Sequence, residues 1–435
     1  MGYKTTLGDV SLDGGHYGIA APAVDFKPGL PAYLRITDIS DDGTLNPSDR
    51  KSVDDSSAGN YLLHEGDIVF ARTGNSTGRN YYYDPRDGEY AYAGFLIKFS
   101  LDLRKINPRY MKYYAQSKQY WDWVSSFNTG STRGNINAKT YASMPIDLPS
   151  RQIQDAIVAI CDAIDDKIRI NRQLNDYLEQ LVDGKFHELF GGLNFNATLS
   201  DVAEITMGQS PAGSSYNEEG AGIIFYQGRG EFGWRFPKRR LYTTEPKRLA
   251  CEGDVLMSVR APVGDLNVAF ENCCIGRGLA AIHSETPSFA LYLMRFLKPQ
   301  LEAYNGEGTV FGSINGKALK SLEVALPSHN EVMQFESFAA PIDALIRSNE
   351  NETRKLNNLR NYLLPKLMSG EIDVSKVDLT QLTNNHLAGR MHWSTVIRVR
   401  AIHAVHSRQS QIPAYESVPR VPRVPRVLHS HVTPP

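Results

Sequence analysis

The sequence predicts an α/β (α+β) chain: two tandem mixed α/β domains separated by two long helices that form an antiparallel coiled coil, giving a pseudo-two-fold body. Three observations carry this. Residues 153–189 place apolar side chains at steps of three and four, through Ile157, Ile160, Ile164, Leu174, Leu178 and Leu181, with Lys167 and Asn171 in two polar seam positions. A repeat near 3.5 residues marks a helix-pair seam, narrower than the stripe of a helix lying on a core. The same pattern returns at a constant offset of 178, giving Ile342, Leu345, Asn349, Leu356 and Leu359 as the second seam. Short motifs before each seam also recur in order: LGDV at residues 7–10 and LSDV at 199–202, EGDI at 65–68 and EGDV at 252–255, and an Ile-Asn pair at 136–137 and 314–315.

Taken in order, residues 1–150 form the first domain and 151–195 the first long helix. Residues 196–328 form the second domain, 329–380 the second helix, and 381–435 a tail. Strand-type runs in the first domain fall at 33–36, 67–71 and 93–99, separated by Gly, Asp and Asn turns. Residues 108–124 read as one helix, with Asn107 as its N-cap and Pro108 in its first turn. The matching strands of the second domain fall at 223–226, 254–259 and 278–282, and the matching helix at 288–301. Pro341 and Pro365 are expected to kink or fray the second long helix.

Composition excludes some classes. The net charge is −1, but from Asn384 onward there are seven Arg and one acid, Glu416, so the tail is +6 and the body −7. Overall charge therefore gives no support for nucleic-acid binding, and local distribution must decide. Six of the eleven His and three Val-Pro-Arg repeats lie in the tail, which reads as low-complexity and disordered. Its His spacings fit no metal site. Cys161, Cys251, Cys273 and Cys274 show no metal or redox spacing, as expected of reduced thiols in a cytoplasmic protein. No apolar run is long enough for a membrane span.

Catalytic constellations are missing from the pattern. There is no Asn-Pro-Pro-Tyr or Asp-Pro-Pro-Tyr tetrapeptide of an amino-methyltransferase. The stretch GNSTGR at 74–79 falls short of a phosphate loop and reads as a turn. Asp87 and Glu89 are not followed by the Lys a nuclease site would need. Cys273 has no evident His partner to activate it.

The chain resembles the specificity subunit of type I restriction-modification systems. The carrying motifs are YLRITDI (33–39), EGDIV (65–69), GNIN (134–137) and PIDLPSRQI (145–153), then MGQSP (207–211), EGDVL (252–256), GSIN (312–315) and LPS (326–328). They cover about residues 5–375, and the tail has no counterpart. The resemblance implies two target-recognition domains and no catalysis by this chain. It implies double-stranded DNA, two modification (methyltransferase) subunits and restriction (motor-nuclease) subunits as partners. S-adenosylmethionine, ATP and magnesium belong to those subunits, and no cofactor or metal to this one. Two alternatives stay open: a fused methyltransferase or nuclease with its own specificity module, and a coiled-coil adaptor that binds only proteins.

Physics links the plan to a target. A helix of about 38 residues spans roughly 57 Å, and groove repeats on one face of a duplex lie about 34 Å apart. Two dissimilar domains on such rods would read an asymmetric, bipartite site with an unread spacer. Arg, Lys, Asn and Gln read base edges best. Candidates are Arg72, Asn75, Arg79, Arg133, Asn135 and Lys139 in the first domain. In the second they are Gln209, Gln227, Arg229, Arg235, Lys238, Arg239, Arg240, Arg260 and Lys317, with Trp234 and Tyr226 interleaved. Asn171 and Asn349 are expected to hydrogen-bond to each other and fix the helix register.

Overall fold

The structure, a computed structural model, describes residues 2–46, 49–127, 134–306 and 312–374. The described residues divide into two compact units, 2–163 with 370–374, and 164–369. The division falls inside the first long helix, α1 (Arg151–Phe190). The second long helix, α2 (His329–Met368), lies within the second unit. Arg133 and the tail 381–435 lie outside the described residues.

Both units follow one plan. In the first, Tyr3–Thr6 pairs with Pro145–Leu148. An antiparallel sheet has the order His16–Tyr17, Leu96–Ser100, Asp67–Ala71, Asn80–Tyr82. A second sheet holds the parallel pair Ala32–Leu34 and Tyr90–Tyr92. In the second unit, Ala197–Thr198 pairs with Glu323–Val324. The antiparallel sheet runs Glu204–Met207, Leu279–His283, Val255–Ser258, Leu266–Val268. Its companion sheet holds the parallel pair Ile223–Tyr226 and Cys273–Ile275. The strand after each Glu-Gly-Asp turn is central in its sheet and wholly buried, so its apolar run is continuous and does not alternate.

Sequence and structure differ in places. The expected helix at 108–124 is two, Pro108–Tyr114 and Lys118–Ser125. Ser117 turns extended between them, and its side chain accepts the amide of Tyr120, which caps a new helix where one was expected to continue. The helix expected at 288–301 likewise splits into Pro287–Phe296 and Lys298–Glu302, because Pro299 falls in the first turn of the second piece. Helix α2 runs unbroken through Pro341 and Pro365. Both prolines are on the exposed side of the helix, where a carbonyl deprived of its N–H partner can be hydrated.

The helix seams also shift. Within the second unit α1 buries Ile164, Ile168, Asn171, Asn175, Val182, Phe186 and Phe190. Leu181 is 54% exposed, and Leu345 and Leu359 are each 44% exposed, so these three are not seam residues. Ile168 takes the seam place given to Lys167, which instead pairs with Glu352 on α2 at 3.0 Å. The seven-residue repeat itself holds through Val182: Ile164 and Asn171 keep their expected column, while Ile168, Asn175 and Val182 form the other, one residue later than expected. Apolar spacing along one helix does not show which adjacent column the partner helix covers. Asp165 meets Arg360 while Asn175 meets Glu350, so the two segments run antiparallel.

Past Val182 the stripe turns aromatic. Phe186 and Phe190 of α1, Phe335 of α2 and Phe289 pack with centroids 5.0–6.3 Å apart. Each such ring contributes about 1.5–3 kcal/mol on burial. The helix ends are thus part of the core of the second unit.

Candidate nucleic-acid interface

Three backbone segments of the second unit converge on one concavity. Gln227 and Arg229 follow the strand Ile223–Tyr226, Arg260 follows Val255–Ser258, and Arg277 precedes Leu279–His283. With Ser210 they line a cavity of about 230 Å³. Glycines let these backbones meet. A Cβ on Gly208 would fall 2.1 Å from the carbonyl oxygen of Gly276, and one on Gly276 would fall 2.9 Å from the Cα of Gln227.

A second and larger concavity, about 680 Å³, lies along the strand Glu204–Met207. Arg248, Lys317 and Lys320 line it with Thr198, Ser200 and Ser321. The chain that floors this groove through Met207 reaches Ser210 of the first cavity three residues later. Three cations and, with Thr206, four hydroxyls in an open groove suit phosphate oxygens, whereas an arginine pocket suits base edges.

The cations are not equivalent. Arg260 and Arg277 are exposed and have no ion-pair partner among the described residues. Arg229 is held by Asp265 at 2.9 Å, Arg239 by Glu271 at 2.5 Å, and Arg240 by Glu231 at 2.6 Å and Glu218 at 3.6 Å. Gln209, Gln227, Lys238 and Lys317 are exposed. Arg235 is not available to a ligand. It is 4% exposed, bonded to Asp343 and 3.1 Å from Glu179, with the Tyr292 hydroxyl also in reach. Its place in a basic run suggested a surface residue, but the two carboxylates on the long helices draw it inward. Tyr226 is buried too, at 1%, while Trp234 is 44% exposed. Arg248, Arg277 and Lys320 went unseen in the sequence. Lys320 had a signal, one helical turn beyond Lys317. Arg248 and Arg277 had none, since strand pairing alone brings them here.

In the first unit, the backbone brings Arg72, Asn75 and Asn135 together. The amide of Ile136 donates to the carbonyl of Arg72 at 2.9 Å, and Thr73 forms a bridge with Asn135. Asn75 is exposed on the turn Gly74–Ser76, which Thr77 ties to Gly134 at 2.9 Å. The Arg72 guanidinium lies 5.0 Å from the centre of the Tyr17 ring, and its buried Nε has no hydrogen-bond partner. Arg79 is drawn aside by Asp41 at 2.7 Å. Lys139 is exposed. The second unit repeats this joint: Ile314 donates to the carbonyl of Val259 at 3.0 Å, and Arg260 bridges Ser313. Asn137 and Asn315 then cap equivalent short helices.

Among the thiols, Cys161, Cys273 and Cys274 are buried and Cys251 is exposed. Burial pushes the Cys273 thiol up to about 12, so it stays protonated and unreactive. No helix among the described residues is long and apolar enough to cross a membrane.

Two diverged copies of one α/β unit, each presenting a distinct polar and cationic set at the same backbone joint, define a duplicated nucleic-acid-recognition protein. The chain belongs to the family of type I restriction modification DNA specificity domains, which matches residues 44–180 and 196–361. It is 30% identical over 344 residues to the protein of Methanocaldococcus jannaschii named as the MjaX type I restriction enzyme specificity subunit, covering 72% of this chain and 80% of that one. The MjaIX specificity subunit of the same organism is 21% identical over 313 residues, covering 62% and 71%. The crystal structure of a type I restriction-modification S subunit from M. genitalium aligns with a TM-score of 0.55 at 16% identity, covering 84% of this chain and 96% of that one, and so shares the fold.

Proposed function

We propose that this chain is the non-catalytic reading subunit of a type I restriction-modification complex. Each α/β unit reads one half of an asymmetric, bipartite duplex site. Arg260 and Arg277, with Gln227, supply base contacts in the second unit. Lys317, Lys320 and Arg248 hold the neighbouring phosphates. Arg72, Asn75 and Asn135 are the reading set of the first. The partners are double-stranded DNA, two methyltransferase subunits and motor-nuclease subunits, and S-adenosylmethionine, ATP and magnesium reside in those subunits.

One observation carries this reading. The two units keep the same backbone joint, yet Thr73 and Asn135 at one stand where Arg260 and Ser313 stand at the other. A shared frame with different side chains at its edge is what two different half-sites require.

The experiment is a map of methylated adenines in host DNA with and without this gene. A single split motif with two unlike halves, lost on deletion, is the expected result. A contiguous motif, or methylation by the purified chain alone, overturns the proposal.

A further inference from the structure

We propose that Cys251, Asp254 and His283 form a site for a divalent transition metal of the zinc type. It lies on the second unit, and no partner subunit is needed to complete it. One ligand atom from each of the three residues lies within 4.8 Å of the other two. The set is one thiolate, one carboxylate and one imidazole, the ligand mix that suits Zn²⁺ and Co²⁺, and three protein ligands leave a fourth position to water.

The local chain holds the three together. The Asp254 amide donates to the carbonyl of Cys251 at 3.1 Å, and the Cys251 amide donates to Asp254 Oδ2 at 2.7 Å. Gly253, at φ +91°, permits that turn. His283 comes from the neighbouring strand, with Nδ1 2.7 Å from Asp254 Oδ1. Glu204 faces His283 across the next strand pair and adds negative charge. Asp254 is buried, whereas Cys251 and His283 are exposed, so an ion can reach the site from solvent.

The first unit supplies an internal control. The turn recurs there: the His64 amide donates to Asp67 Oδ2 at 2.9 Å, and Gly66 sits at φ +94°. Ser100 donates to Asp67 Oδ1 at 2.6 Å in the place of His283. Lys98 Nζ also lies 3.5 Å from Asp67 Oδ2, and the His64 ring 3.9 Å from it, so that carboxylate has a fixed cation beside it. In the second unit Ala281 stands two residues before His283 where Lys98 stands two before Ser100, and a thiol and an imidazole, both metal-ligand types, flank the carboxylate instead. On binding, the Cys251 thiol proton leaves to solvent, and His283 coordinates as the neutral ring with its one proton on Nε2, so that no proton remains between Nδ1 and Asp254 and the ion takes its place.

The test is a titration of the purified full-length chain with Co²⁺ under reducing, chelator-free conditions. The readout is the near-ultraviolet sulfur-to-cobalt charge-transfer absorption. The histidines of the tail cannot produce that band, so they do not confuse it. A band saturating at one equivalent is expected, abolished in Cys251→Ser and weakened at least about tenfold in apparent affinity in His283→Gln. Cys161→Ala should leave it unchanged. Both affected positions are exposed, and circular dichroism checks that each variant folds. No band, or a band that survives Cys251→Ser, overturns the proposal. DNA affinity plays no part in the readout, so the outcome is independent of the reading function.

Discussion

Asn349 donates its side-chain amide to Oδ1 of Asn175, 2.8 Å away, in the buried stripe of the paired helices. Asn171 donates in turn to the backbone oxygen of Asn349 at 3.4 Å and to Glu352 at 2.8 Å. The expected amide pair was Asn171 with Asn349. The antiparallel offset instead puts Asn349 opposite Asn175, one turn further along. Removing one member leaves a buried amide unsatisfied, so Asn349→Ala should cost about 1–3 kcal/mol. A double-mutant cycle with Asn175→Ala should show coupling of about 1 kcal/mol, read from urea unfolding. Additive losses would mean the two amides do not act as a pair.

Arg235 ties the basic run 227–240 to both long helices. Its neutral replacement strands Asp343 without a cation, while Glu179 keeps Arg295 at 2.7 Å. Arg235→Met should destabilise the second unit by about 3–5 kcal/mol. Lysine should rescue little, because a single ammonium cannot reproduce the fork between two carboxylates. Thermal unfolding checks both. If Arg235→Met leaves the melting temperature unchanged, the buried network is not what holds this loop.

How much of this was legible in the sequence depends on distance along the chain. The duplication and the long helices were plain, because a constant offset and a helical period are local signals. The Glu-Gly-Asp turns gave the two central strands for the same reason. The seam register was off because Leu181 and Leu359 look like better seam residues than Asn175. Only the partner helix shows which face is covered. The cavity around Arg260 was half visible. Gln227, Arg229 and Arg260 stood out as polar residues near strand ends, but Arg277 joins them through strand pairing. Arg235 was misplaced because charge runs do not reveal a buried counter-charge more than fifty residues away.

Base readers and phosphate holders should separate by their effects. Arg277→Ala and Arg260→Ala should each lose about 1–3 kcal/mol of discrimination at one base pair, with little change toward nonspecific DNA. Lys317→Ala and Lys320→Ala should weaken all sequences alike, each lowering the slope of log affinity against log salt by about 0.9. Neutralising Arg239 and Arg240 should flatten that slope less, since each already faces a carboxylate. Binding assays on specific and scrambled duplexes at several salt concentrations distinguish these. A uniform loss from Arg277→Ala would move it to the phosphate group.

Glu350 gives a pH signature. Burial holds its carboxyl above the ordinary value of 4.5, against the opposing hydrogen bond from Asn175 and the charges of Arg354 and Arg172. With the folded value raised, the unfolded chain gives up the proton more readily. Ionisation therefore costs the native state nothing well below pH 4.5. The cost grows as pH rises through the shifted value and is constant above it. Glu350→Gln keeps an acceptor for the Asn175 amide and removes the charge. It should raise stability at pH 7 by about 1 kcal/mol or less, roughly 1–4 °C in melting temperature, and by a much smaller amount at pH 4. Melting curves at the two pH values decide it. A variant less stable than the parent at pH 7 would show that attraction to Arg354 and Arg172 outweighs the burial.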